Sequence, residues 1–144
     1  MWSRSRVIAA AMAMLASVLS AQAARAQSFD GQYTGKLDCA KLAYTDADLS
    51  GEPVSLTISG GKVSYARTLY EHNRSEVVGK ETGAGSVTSD GSITLSGGWT
   101  GRRDSVRASY RGKFSGGSAT LSGRHVISYE GKTYSRSCSM TIGH

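Results

Sequence analysis

An all-β domain, a single antiparallel meander of about eight strands closed or nearly closed into a barrel, is the fold class this chain predicts. Three observations lead there. Apolar and polar residues alternate almost everywhere after Phe29, and helical periodicity is nearly absent. Short Gly- and Ser-rich punctuation recurs between the alternating runs. Two cysteines, Cys39 and Cys138, stand near opposite ends of the alternating region. A redox-active pair would more often be close in sequence, as in C-x-x-C, so this pair reads as a structural disulfide joining the first strand to the last.

The first 26 residues have the order of a secretory signal: Arg4 and Arg6 without acids, an apolar run from Val7 to Leu19, then Ala24-Arg25-Ala26. The expected cut falls after Ala26. The apolar run is shorter than the about 20 residues a membrane span requires. No Cys follows it to accept a lipid, and its Ala-rich style resembles that of bacterial leaders. Residues 27–144 are therefore expected to be one periplasmic or secreted domain. Arg4, Arg6 and Arg25 leave with the leader, so of 17 basic residues 14 remain against 11 acidic ones, a net charge of +3. That is an ordinary charge for a soluble domain and compatible with an anionic envelope surface. Export argues against nucleic acid as a partner.

The strands follow in order. Tyr33, Gly35, Leu37 and Cys39 share one face of the first. Ala40 to Glu52 breaks the alternation and reads as a long loop with room for a helical turn around Ala40 to Tyr44. Val54, Leu56 and Ile58 resume it, and Ser59-Gly60-Gly61-Lys62 marks a tight hairpin into Val63, Tyr65, Arg67 and Leu69. Arg67 is the exception on that apolar face. After a turn at Glu71-His72-Asn73-Arg74, a strand through Val77, Val78 and Gly79 weakens into Thr82-Gly83-Ala84-Gly85. Ser89-Asp90-Gly91 turns into Ile93, Leu95, Gly97 and Trp99, and Gly101-Arg102-Arg103-Asp104 into Val106, Ala108, Tyr110, Gly112 and Phe114. Gly116-Gly117 leads to Ala119, Leu121, Gly123, His125, Ile127 and Tyr129, and Glu130-Gly131 to Tyr134, Arg136, Cys138, Met140 and Ile142. Glycine at Gly35, Gly97, Gly112 and Gly123 on the apolar face suits a small curled sheet with aromatic rings packed over the gaps.

Opposing Cys39 to Cys138 in antiparallel register brings Leu37 to Met140 and Gly35 to Ile142, so the apolar face continues across the seam. Eight strands closed this way leave an interior that side chains fill or that holds one small ligand. The opposite face is rich in Ser, Thr, Lys and Arg, without the apolar band of a membrane barrel, so no insertion of the mature chain is expected.

Candidate sites are few. His72, His125 and His144 show no zinc-ligand spacing, and no metal or cofactor is expected. No G-x-S-x-G elbow and no facing pair of acids appears, so no catalytic residue is assigned and an enzyme ranks last. Asp46-x-Asp48-x-Ser50-Gly51 has the start of a calcium loop but lacks its remaining ligands. His125 lies on the inward face, where it either lines a pocket or is a satisfied core histidine. With Trp99, Tyr110 and Tyr129 it forms the candidate contact set for a small apolar or aromatic ligand. Arg102, Arg103, Arg107, Arg111 and Lys113 form the densest positive run, with Arg107, Arg111 and Lys113 on one outward face. That run suits an acidic glycan or acidic protein, or is simply a solvated face.

The plan resembles the lipocalin and avidin style of barrel and the small periplasmic inhibitors built on it. The resemblance is architectural, because Gly31-Gln32-Tyr33 has Tyr where that group commonly carries the Trp of Gly-x-Trp. It implies a non-enzymatic binding module, for a small ligand or an exported protein met by the loop around Asp46. The alternative is an envelope structural or adhesive protein.

Overall fold

The turns set the strand pairing. Gly60 and Gly61 both have positive φ (57° and 77°), as do Glu130 and Gly131 (48° and 76°). Two successive left-handed residues make the hairpin turn whose twist matches that of the flanking strands. The computed structural model describes residues 28–42, 49–70 and 76–144. The leader and its cut site, Tyr44, Asp46, Asp48 and the turn at Glu71 to Arg74 lie outside those residues.

Eight strands run in chain order: β1 (Gly31–Cys39), β2 (Leu49–Ser59), β3 (Lys62–Tyr70), β4 (Val77–Val87), β5 (Ser92–Thr100), β6 (Asp104–Ser115), β7 (Ser118–Tyr129) and β8 (Lys132–Gly143). Each pairs antiparallel with the next, and β8 pairs with β1, so the meander is a closed barrel. There is no helix among the described residues. The seam has the expected register: Cys39 faces Cys138, Leu37 faces Met140 and Gly35 faces Ile142. The disulfide Cys39–Cys138 joins directly opposed residues and is buried.

The inward faces fill the barrel. Leu37, Leu56, Ile93, Leu121, Met140 and Ile142 are among its fully buried side chains. One end is sealed by aromatic packing, for which the chain before β1 supplies Phe29. Its ring stacks on Phe114 at 4.9 Å, Tyr33 lies 5.2 Å from Phe114, and the Tyr33 hydroxyl donates to the Phe29 carbonyl at 2.8 Å. His144 covers Tyr33 at 4.2 Å.

Aromatic rings do pack over inward glycines. Tyr65 faces Gly83 across β3–β4, and Tyr110 faces Gly123 across β6–β7. A Cβ at Gly83 would strike the Tyr65 ring, and one at Gly123 would strike both the Tyr110 ring and the Ser109 carbonyl. The missing side chains are the space that the rings occupy.

Two elements differ from the alternation pattern. β4 does not fade at Thr82 but continues to Val87, paired on both sides. Its inward positions are Gly79, Glu81, Gly83, Gly85 and Val87, so an apolar period is missing although the pleat is regular. β2 begins at Leu49, inside the stretch expected to be a loop. The β1–β2 register shifts between Leu37 and Cys39, and Gly51 has a positive φ of 64° with its N–H donating to Asp38 Oδ1 at 2.7 Å. An irregularity of this kind breaks the period-two pattern without ending the strand.

Two stability measurements check this packing. Replacing Cys39 and Cys138 together by Ser is expected to lower unfolding free energy by up to about 4.7 kcal/mol, the loop-closure contribution for a ring of about 100 residues. Gly123→Val is expected to cost about 1–3 kcal/mol through overpacking against Tyr110. Urea melts of both variants read these losses; an unchanged midpoint in either contradicts the corresponding contact.

Candidate functional site

The end of the barrel opposite the aromatic seal is polar inside. Inward parity brings Arg67 of β3, Glu81 of β4, Tyr110 of β6, His125 of β7 and Arg136 of β8 toward one another. Arg67 and Glu81 are directly paired across β3–β4, and Arg67 Nη2 donates to Glu81 Oε2 at 2.5 Å. Both are buried, Glu81 to 1% exposure. The other carboxylate oxygen, Oε1, accepts from the Tyr65 hydroxyl at 3.1 Å and from the Tyr110 hydroxyl at 3.4 Å.

His125, at 0% exposure, continues the network. Its Nε2 lies 2.6 Å from the Tyr110 oxygen and its Nδ1 lies 3.3 Å from Arg136 Nη2. Arginine only donates, so Nδ1 is the acceptor and the proton sits on Nε2, from which it is donated to Tyr110. This tautomer is assigned from its partners. The donors then point one way: Arg136 to His125, His125 to Tyr110, and Tyr110 to the Glu81 carboxylate. Arg67 Nε is buried and has no hydrogen-bond partner among the described residues.

The electrostatics favour this neutral imidazole. Burial first, then Arg136 and Arg67, push His125 down to about 4 from 6.5, against an opposing pull from Glu81. Burial first, then the Glu81 charge, raises both Tyr65 and Tyr110 well above the usual phenol range, so both keep their protons. Glu52, inward from β2 opposite Leu37, adds a second buried acid at this end.

Of the four ligand-contact candidates, Tyr110 and His125 are brought together, Trp99 packs over inward Gly79 at the same end of the barrel, and Tyr129 stands apart from the hydrogen-bonded cluster. Trp99 is half-buried against β4, where a Cβ at Gly79 would collide with its indole, as would one at Gly101 just after β5. Tyr129 lines an open cleft of about 580 Å³ with Arg102, Arg103 and Asp104. Arg107, Arg111 and Lys113 are exposed on the outer wall, and Lys113 reaches Asp90 at 3.4 Å. Asp90 is a turn residue: hydrogen bonds from the Thr88 side chain, then the Ser92 backbone and side chain, hold its carboxyl well below the usual range.

One donor set among the described residues has metal-site proximity. Cys39, Cys138 and His125 offer ligand atoms within 4.8 Å of one another, with His125 Nδ1 3.8 Å from Cys39 Sγ. The two sulfurs are bonded to each other, which removes the thiolates a metal would need.

Sequence reasoning missed Glu81. Its signal was indirect: Arg67 on an inward face requires a buried counter-charge. Only the β3–β4 register says which acid supplies it. Comparison with protein-family models, with curated proteins and with solved structures finds no match.

Two results are expected from the cluster. His125 has a lower proton affinity folded than unfolded, so between about pH 6.5 and about pH 4 the unfolded chain binds the extra proton. Stability should therefore fall as pH drops through that window, by at most about 3 kcal/mol, and His125→Gln should flatten this segment of the profile. The Asp90 contribution is lost below the ordinary carboxylate range and so falls in a separate window. Arg67→Met, which strands the Glu81 carboxylate, should cost about 3–5 kcal/mol. Denaturant melts across pH on the three proteins decide both.

Proposed function

We propose that this chain is an exported, non-enzymatic binding module that takes a small polar or aromatic ligand at the polar end of its barrel. The observation that carries the reading is the one-sided placement of buried charge. Among the described residues, Glu52, Arg67, Glu81 and His125 are the buried charged or strongly polar ones, and all lie toward one end. A buried ion pair is often no more stabilising than apolar side chains of the same volume. The same barrel uses apolar and aromatic packing at its other end, so stability alone does not call for this arrangement.

Other features of that end support the reading. The large exposed apolar residues Tyr70, Val77 and Val78 flank it on the β3–β4 hairpin, with Val77 57% exposed. Arg67 Nε is a spare donor in a buried setting, the kind of group that a ligand or ordered water satisfies. His125 has both ring nitrogens engaged and no exposure, which suits positioning better than proton transfer with a substrate. The disulfide fits an oxidising compartment, in keeping with export. On the outer wall of β5 through β8 the outward residues are Ser, Thr, Arg and Lys apart from Gly98, Val126 and Gly143, which is unlike a lipid-facing surface.

Native mass spectrometry of the protein purified from the cells that export it tests this. A co-purifying small molecule, released on denaturation and weakened by Tyr110→Phe or Trp99→Ala, is the expected result. A bare chain, or binding indifferent to both substitutions, rejects the site. A retained protein instead redirects the reading to inhibition or assembly.

A further inference from the structure

The outer wall carries a charge pattern that the interior does not require. The β6–β7 register places Arg107 opposite Val126, Ser109 opposite Arg124 and Arg111 opposite Ser122, with all three arginines exposed. Arg124 therefore stands one strand over and midway between Arg107 and Arg111, roughly 8 Å from each by strand rise and spacing. Sequence order hides this triangle, because Arg124 belongs to a different strand from the other two.

The surroundings leave that charge uncompensated. The outward positions of β5 and β8 are Ser and Thr apart from Gly98 and Gly143, and no carboxylate occupies an outward position on β5 through β8. Acids appear only at the ends. Asp90 holds Lys113 at one end; Asp104 and Glu130 lie at the other, where the Glu130 N–H reaches the Arg103 carbonyl at 3.5 Å. At that second end Arg102, Arg103 and Tyr129 line the open cleft. From Arg103 to Arg111 the basic track runs roughly 26 Å along the barrel.

Repeated guanidinium groups suit repeated carboxylates, which they hold through paired hydrogen bonds. Surrounding hydroxyls suit sugar hydroxyls. A lipid surface would call for apolar residues to insert, and this wall offers Val126 alone. We infer that the β6–β7 wall binds a linear acidic polysaccharide, its carboxylates on Arg107, Arg124 and Arg111 and its hydroxyls on the neighbouring Ser and Thr side chains. This site is separate from the polar end of the barrel and does not depend on a ligand there.

The test is calorimetric titration of the mature disulfide-bonded protein with polygalacturonate, with neutral dextran and phosphatidylglycerol vesicles as comparisons. Polygalacturonate should bind and dextran should not, and affinity should fall about tenfold or more between about 0.05 and about 0.5 M NaCl. The triple variant Arg107→Thr, Arg111→Thr, Arg124→Thr should lose roughly tenfold or more in affinity with its melting temperature kept, since Thr suits an exposed strand. The single change Arg124→Glu should weaken binding alone, and Lys80→Thr, on β4 away from this wall, should not. Absence of polygalacturonate binding, equal binding of dextran, an unaffected triple variant, or preference for the vesicles overturns the assignment.

Discussion

Closure of the sheet on itself is the constraint from which the rest of this structure follows. An eight-stranded meander left open would expose the free edges of β1 and β8 as unpaired backbone donors and acceptors. The β1–β8 ladder removes both edges, and the Cys39–Cys138 bond fixes the two chain ends in that register. Once the register is set, alternation decides which side chains lie inside. Small diameter then makes the interior crowded, so the glycines facing Tyr65 and Tyr110 become a geometric necessity.

The interior this creates has two chemically different ends. At one, Phe29, Tyr33, Phe114 and His144 stack into an aromatic seal that relies on area and shape. At the other, a carboxylate collects donors from an arginine and two tyrosines, and a neutral histidine completes a one-way chain of hydrogen bonds. The low dielectric that makes such a network costly when incomplete also makes it rigid when satisfied. Function is therefore sought at the polar end, because that is where the barrel departs from its own simplest packing.

Outside, the same alternation spreads Ser, Thr, Lys and Arg over the wall. Charge on a sheet is arranged in two dimensions: along a strand by every second residue, and across strands by register. The Arg107, Arg111 and Arg124 triangle illustrates this, since two of its members are visible as a run and the third arrives only through the pairing of Ser109 with Arg124.

Local chemistry in the chain was enough for the strand order, the seam register and the faces of most strands, because a period of two and a tight turn are encoded by neighbouring residues. Tyr110, His125, Arg67 and Arg136 were readable as inward by parity alone. What parity does not contain is the offset between strands joined by a turn of unknown shape, so the partner of Arg67 stayed hidden until β4 was laid beside β3. β4 was also hard to see because its inward positions are glycine and glutamate, which carry no apolar signal. The sequence by itself determined a barrel and which side of its wall each residue occupies. Only the tertiary structure decided which inward residues meet, because contact across a sheet depends on register and closure, which are properties of the whole ring.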